Sequence, residues 1–458
     1  MRDDTTTQGV LFTGLFEKRL SARFDQPDMS SDGGAVLLKA CDKRLGLVEA
    51  IAGCLRDERS AERVIHGMRE LVEQRVYGMA CGYEDCNDSA RLAGDPIHRL
   101  LLGRDPRDGE WLASQPTLSR FENAIDGRSL VRMGTALADC VIKRHRRRLR
   151  GRVRRITIDL DPTDDATHGQ QQLALFNGHY DRWCYLPVAG FLQFDEEPEQ
   201  YLFAYVLRGG RAPATEGAIP LLQRVIRRLR QAFPGVIVRV RLDGGFAAPE
   251  VFEFLDEQRV EYAVGMAKNA VLEAFTEPLM KQARRLSKAS GETAHLYGEC
   301  RYAARSWDDE RRVIIKAEVV RHPGSEAKDN PRFVVTNIPR VPKNVYEKIY
   351  CRRALIENRI KELLHGLHID RTSCTRFFAN QFRVLLCAAA YVLLQELRLR
   401  AKRTGFATAQ VTTLRERLLK LSVWVERSTR RLVLHLPNSA PWRSDWCRIA
   451  RALGAVPL

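Results

Sequence analysis

The sequence has no Cys-x-x-Cys pair, no low-complexity tract, no simple internal repeat and no apolar run long enough to cross a bilayer. Each absence removes a class. The eleven cysteines are scattered from Cys41 to Cys447, and the closest pair, Cys81 and Cys86, has the wrong spacing for a zinc knuckle. Reduced, mostly buried thiols are therefore expected, not a disulfide framework or a structural zinc. The greasiest stretch, Val384–Leu394, is too short for a span and sits among Arg383, Glu396, Arg398 and Arg400. Met1–Gly14 carries Asp3 and Asp4 and no apolar segment, so no secretory leader and no membrane partner are expected, and the protein reads as cytoplasmic.

What is present is ordinary globular composition with a strong basic bias. The chain has 458 residues, 45% hydrophobic and 29% charged, enough for several structural units around a large core. Lys and Arg total 74 against 57 acids, a formal charge of +17. A surplus of that size favours a polyanionic partner, because phosphate contacts release condensed counterions from nucleic acid. Arg-rich proteins without such a partner exist, so charge alone tips the balance only slightly. The densest run comprises Lys143, Arg144, Arg146, Arg147, Arg148, Arg150, Arg152, Arg154 and Arg155. It reads as a solvated linker, with Arg146, Arg147 and Arg148 as candidate contacts to a nucleic-acid backbone.

Hydrophobic periodicity divides the chain at that run. Residues 1–150 read as helical: one helix follows Ser30-Ser31-Asp32, and another opens at Ser60 and carries Val64, Ile65, Met68, Leu71, Val72 and Val76. A third is capped by Ser114 with Pro116 in its first turn, where Thr117, Ser119 and Arg120 could read DNA or simply form a capped helix. From about 155 the period becomes two, with Ile156, Ile158 and Leu160 alternating with Thr157, Asp159 and Asp161. Strand-like runs at 183–194 and 200–207, a helix at 215–233, a strand at 236–243, a helix at 249–258 and a strand at 262–266 follow. Three consecutive strands, then parallel additions through helices, match an α/β ribonuclease-H-like mixed sheet. The expected plan is an N-terminal helical DNA-binding or dimerisation domain (1–150), the first part of that core (151–267), and a β-rich insertion (268–342). The second part of the core carries a long helix (343–375), and a C-terminal helical region (376–458) completes it.

Three acids stand out. Asp161 and Asp243 end strands that are neighbours in such a sheet, and Asp159 shares the face of Asp161. Glu357 lies on the long helix, where Tyr350, Arg353, Glu357 and Lys361 follow at helical spacing. Singly, each acid is more often a surface or capping residue, and the polar stripe more often a solvated face. Together they can form a cleft in which three carboxylates, repelling one another, are stabilised by a cation. Hard oxygen ligands suit Mg²⁺, with Mn²⁺ as a substitute, and a pair of such ions supports in-line phosphoryl transfer. Arg353 and Lys361 would then neutralise phosphates.

Asp161-Pro-Thr163, Asp243-Gly-Gly-Phe246 and Tyr350-x-x-Arg353-x-x-x-Glu357 resemble the acidic triad of IS-four-like insertion-sequence transposases, the last being their Tyr-Arg-Glu-Lys signature. Thr167-His-Gly-Gln-Gln171, Phe333-Val-Val-Thr-Asn337, Asp370-Arg-Thr-Ser-Cys374, Ser30-Ser-Asp-Gly-Gly34 and Gly82-Tyr-Glu-Asp85 make the chain similar to the family numbered thirteen-eighty. The resemblance implies a bacterial, nucleoid-associated DDE transposase with Asp161, Asp243 and Glu357 as catalytic metal ligands and Asp159 as an alternative to Asp161. It implies Mg²⁺-dependent cleavage and strand transfer by a homodimer at terminal inverted repeats, with target DNA as second partner. Some relatives stack a flipped base on an insertion-domain Trp, which places Trp307 as a candidate beside the structural alternative. The signature Lys position is Leu364 here, so Lys361 is only the nearest candidate. A ribonuclease-H-like nuclease or resolvase, and a non-catalytic end-binding protein, are the competing readings; a glycosidase built on paired acids would leave the Arg run without a purpose.

Overall fold

A computed structural model describes residues 10–12, 17–322 and 324–457. Eight strands form one path in its central sheet: β1 (Arg155–Pro162), β2 (Val188–Phe194), β3 (Tyr201–Val206), β4 (Ile237–Leu242), β5 (Glu261–Met266), β6 (Ala294–Tyr302), β7 (Arg311–Val320) and β8 (Arg332–Thr336). Their spatial order is β6-β7-β8-β5-β4-β1-β2-β3, with Lys328–Asp329 added beside β7. β1, β2 and β3 pair antiparallel, whereas β4 runs parallel to β1 and β5 parallel to β4. Those parallel links need crossovers, supplied by α2 (Ala218–Ala232) and α3 (Pro249–Glu257).

The segment 268–342, expected as an inserted β-rich unit, extends this same sheet. It begins with α4 (Ala270–Ser290), and its last strand, β8, pairs antiparallel with β5. Met280 and Ala283 of α4 pack on Ala317 and Val319 of β7, covering one face. Trp307 is buried in the main core, 9% exposed, edge-on to Phe252 at 5.0 Å and to Tyr302 at 5.5 Å between ring centroids. With Arg311 also over the ring, Trp307 sits as a packed core residue, the structural alternative to stacking on a base.

Two other expectations change. The helix expected from Ser60 starts at Met68, because Arg59 closes the preceding turn on Asp57 (2.7 Å) and on the His66 carbonyl (2.9 Å), leaving Ile65 exposed. The charge run is no linker. Through Arg148 it is the last turn of α1 (Gly127–Arg148), with Arg144 buried against Glu396 at 3.0 Å and Arg148 bidentate to Glu197 at 2.7 Å. Only Lys143, Arg146 and Arg147 are exposed within that helical part of the run.

One apolar core links these parts. It contains Leu37, Val72, Met133 and Val141 from the helices before residue 150, Ile156 and Phe191 from the sheet, and much of α6 (Phe377–Arg400). α6 has the length and mean hydropathy of a membrane span, although Gln381, Arg383, Gln395 and Glu396 interrupt its apolar run, and most of it is buried inside the protein. Its Val384, Leu386, Val392, Leu393 and Leu394 are fully covered, each contributing roughly 1.5–3 kcal/mol by burial. It also covers the sheet edge. Gln381 accepts from the Leu207 amide (2.6 Å) and donates to the Tyr205 carbonyl, while Gln395 accepts from the Leu202 amide and donates to the Gln200 carbonyl (2.8 Å). Backbone groups that would template a further strand are thereby satisfied.

Candidate functional site

The site is built from a register. On the parallel neighbours β1 and β4, Asp159 lies opposite Arg241. Two residues further along each strand come Asp161 and Asp243, so the two carboxylates emerge side by side at the same end of the sheet. Asp159 and Arg241 are fully buried and satisfy each other, Nε to Oδ1 at 2.6 Å and Nη2 to Oδ2 at 2.7 Å. Gln200 donates to the same Oδ2 at 2.6 Å. Asp159 is therefore held in an interior ion pair, not offered to the cleft.

The remaining groups come from the helical segment 342–366, which departs from α-geometry on both sides of α5 (Leu355–Lys361). Val345–Tyr350 is a π-helical stretch and Cys351–Ala354 a tighter 3₁₀ turn, a local irregularity frequent at functional sites. Arg241 reaches across to this segment, donating from Nη1 to the Ile349 carbonyl at 3.1 Å. One buried guanidinium thus ties β1, β4 and the turn before Tyr350 together. Tyr350 lies against β5, where Gly265 leaves room for it; a Cβ there would collide with the Tyr350 hydroxyl.

The structure brings Arg353 to Asp161, with Nη1 and Oδ1 at 2.6 Å. Asp161 is nearly buried, and burial pushes its carboxyl up to about 6, with Arg353 opposing and the charges of Asp243 and Glu357 adding to the rise. Asp243 and Glu357 are thus within electrostatic reach of Asp161. Burial disfavours the charge on Arg353, but Asp161, Tyr350 and Asp243 outweigh it and hold the guanidinium protonated. Burial also raises the Tyr350 hydroxyl, against the opposing pull of Arg353. Glu357 and Lys361 are exposed on α5, and Lys361 takes part in no ion pair among the described residues. Asp243 accepts from the Gly245 amide at 2.9 Å, which fixes its turn and accounts for the Gly-Gly that follows it. Two carboxylates at one end of the sheet, with Glu357 in electrostatic reach and a guanidinium as present counter-ion, are donors of the hard type that a divalent cation takes, although the three are not gathered as closely as the Asp32, Cys81 and His98 donors.

Sequence reading missed Arg241, although an Arg in mid-strand between Val240 and Leu242 signals a buried acid opposite. It also missed Asp165, buried and accepting from the Thr372 hydroxyl at 3.0 and 3.1 Å. Burial pushes Asp165 up to about 8, so it keeps its proton in the folded protein. The unfolded chain ionises near pH 4, so this group lowers folding stability as the pH rises from about 4 to about 8. Asp165→Asn should remove that slope: urea unfolding at about pH 5 and about pH 8 should show a smaller loss of stability in the variant than in wild type.

A second ligand-type cluster, Asp32, Cys81 and His98, is fully buried with its donor atoms within 4.8 Å of one another. Asp32 accepts from His98 Nε2 at 2.8 Å and pairs with Lys420 at 2.8 Å, so an ammonium already serves as its cation. Gly34 belongs to the same junction, since a Cβ would overlap the Leu418 carbonyl. The Ser30–Gly34 motif therefore anchors the N-terminal segment to the residues around 418–423.

The family model described as "Transposase DDE domain group 1" matches residues 12–457. No curated protein matches the chain. Among solved structures, the chain is similar to one described as a cryo-EM structure of the piggyBac transposase synaptic complex with hairpin DNA, at 11% identity and a TM-score of 0.36, over 94% of this chain and 87% of that one. With the family match spanning nearly all of its length, the chain belongs to the transposase DDE domain family, group 1.

Proposed function

We propose that the chain is an active transposase that cuts DNA and joins the cut end to a target, with Asp161, Asp243 and Glu357 holding Mg²⁺. The observation that carries this reading is the side-by-side emergence of Asp161 and Asp243 on neighbouring parallel strands, within the field of Glu357. The order β3-β2-β1-β4-β5, three antiparallel strands followed by parallel additions, supports a ribonuclease-H-like core. Metal ions bound by these carboxylates would activate a water or a 3′-hydroxyl and stabilise the leaving oxygen.

The chain's own residues do the rest. Asp159 and Arg241 hold the two catalytic strands in register, and Tyr350 and Arg353 face the phosphate nearest the acids. Lys361, exposed one helical turn beyond Glu357, is placed for the next phosphate along the backbone. The partner is double-stranded DNA, in keeping with the charge of +17, and the substrate is the terminal inverted repeat of an insertion sequence. Because two ends must be joined together, the active species is a homodimer.

Incubating the protein and Mg²⁺ with a labelled transposon-end duplex and a supercoiled plasmid tests this reading. Joined end–plasmid product is expected. Cleavage with no joined product would leave a nuclease or resolvase, and binding with neither would leave a non-catalytic end-binding protein.

Arg146 and Arg147, exposed at the end of α1, are together with Arg150, Arg152 and Arg154 beyond it the exposed arginines of the run, whereas Arg148 is committed to Glu197. Arg146→Ala with Arg147→Ala should weaken DNA binding and lower the slope of log K against log salt by about 1–2. Fluorescence anisotropy across a salt series reads the slope, and an unchanged slope would make both residues bystanders.

A further inference from the structure

Arg353 is positioned to do more than meet a phosphate. Its Nη1 lies 2.6 Å from Asp161 Oδ1, so without metal the guanidinium is the counter-ion of the most buried acid of the site. Both side chains are largely enclosed, 19% and 12% exposed. Neither a carboxylate oxygen already engaged by a guanidinium nor a cleft that already holds a positive charge can accept a divalent cation at full strength. Asp243 and Glu357 remain without a cation of their own among the ion pairs of the described residues, and Asp243 also lies in the field of Arg353.

We propose that Arg353 is an exchangeable internal cation that couples metal loading to DNA binding. In the free protein it pairs with Asp161 and weakens metal binding. A DNA phosphate entering the cleft takes the guanidinium, releases Asp161 to the metal, and is itself held by the displaced Arg353. No covalent bond changes: the Arg353–Asp161 ion pair and one water of the cation's shell would be given up for an Arg353–phosphate ion pair and an Asp161–cation contact, with the water and the phosphate's counter-ion released to solvent. The scheme rests on Asp161 being a metal ligand. Coupling of this kind is reciprocal: whatever factor DNA adds to metal affinity, metal must add to DNA affinity. Its consequence is economy of damage, since a metal-loaded centre forms mainly where DNA is already seated.

The test needs no catalysis. Mn²⁺ binding is titrated by electron paramagnetic resonance for the wild type, Arg353→Gln and Arg353→Lys, each alone and with a short duplex of arbitrary sequence at low salt. Circular dichroism confirms that each is folded. In the wild type, the duplex should tighten Mn²⁺ binding by about 5–150-fold, with the same factor for DNA binding when Mn²⁺ is added. Arg353→Gln should bind Mn²⁺ more tightly than wild type without DNA and lose most of the coupling. Arg353→Lys, which keeps a cation in the cleft, should fall between them. The proposal is overturned if Arg353→Gln binds Mn²⁺ no more tightly than wild type without DNA, or keeps the full coupling. Asp161→Asn separates the two levels of the claim. If its Mn²⁺ affinity with the duplex bound equals that of wild type, the assignment of the acid as ligand fails, and the exchange scheme with it. If its affinity is lower but Arg353→Gln behaves as wild type, only the exchange scheme fails.

Discussion

Asp161→Asn and Asp243→Asn should each lower DNA cleavage by at least about a thousandfold without abolishing DNA binding. The size follows from what the carboxylates do. On the proposed function each would supply a ligand oxygen to a centre worth several kcal/mol of transition-state stabilisation, and each 1.4 kcal/mol is about a factor of ten in rate. Binding should survive because the amide is nearly isosteric and the DNA is held by cations elsewhere. Asp243→Asn keeps a side-chain oxygen to accept from the Gly245 amide, so its turn should persist. Single-turnover cleavage with a labelled duplex, alongside anisotropy for affinity, separates the two quantities. Cleavage near the wild-type rate in either variant would remove that residue from the metal-binding set.

The second large effect concerns a pair that never touches the substrate. Arg241→Met leaves Asp159 buried with only Gln200 to bond it, and breaking one side of a buried ion pair costs about 3–5 kcal/mol. Replacing both partners, Asp159→Asn with Arg241→Met, should recover much of that stability, because no uncompensated charge remains. Activity should not recover with it. The contact from Arg241 to the Ile349 carbonyl is lost in both variants, and with it the tie between β4 and the turn that positions Tyr350, Arg353 and Glu357. Urea unfolding combined with cleavage rates distinguishes the roles. A double variant that regains stability and full activity together would reduce Arg241 to a packing residue.

The strands that carry Asp161 and Asp243 were legible because period-two alternation and strand-end acids are local signals. Ile156, Ile158 and Leu160 mark β1, and the Gly-Gly after Asp243 marks where β4 must turn. The positions of Asp161 and Asp243 followed from strand order; β1 and β4 are parallel neighbours, with Asp159 opposite Arg241 two residues before them. What could not be read was which polar groups are spent internally. Asp159 and Asp161 look alike two residues apart, and only the cross-strand neighbour Arg241 separates an interior salt bridge from a cleft-facing acid. The same holds for the Arg run, where Arg144 and Arg148 find Glu396 and Glu197, residues far away in sequence. Trp307 gave no local sign that Phe252 and Tyr302 would enclose it. The sequence 268–342 carried clear strand periodicity, but nothing local showed that β8 would pair with β5 and continue the central sheet.

The most direct test of the central claim is cleavage of a labelled transposon-end duplex with Mg²⁺ by wild type and by Glu357→Gln. Glu357 is exposed on α5 and makes no ion pair among the described residues, so its replacement should leave the fold intact. Metal-dependent cutting by the wild type that disappears in Glu357→Gln, with DNA binding retained, is the expected result. Equal cutting by both proteins, or no cutting by the wild type with either Mg²⁺ or Mn²⁺, would contradict a three-carboxylate metal centre in this protein.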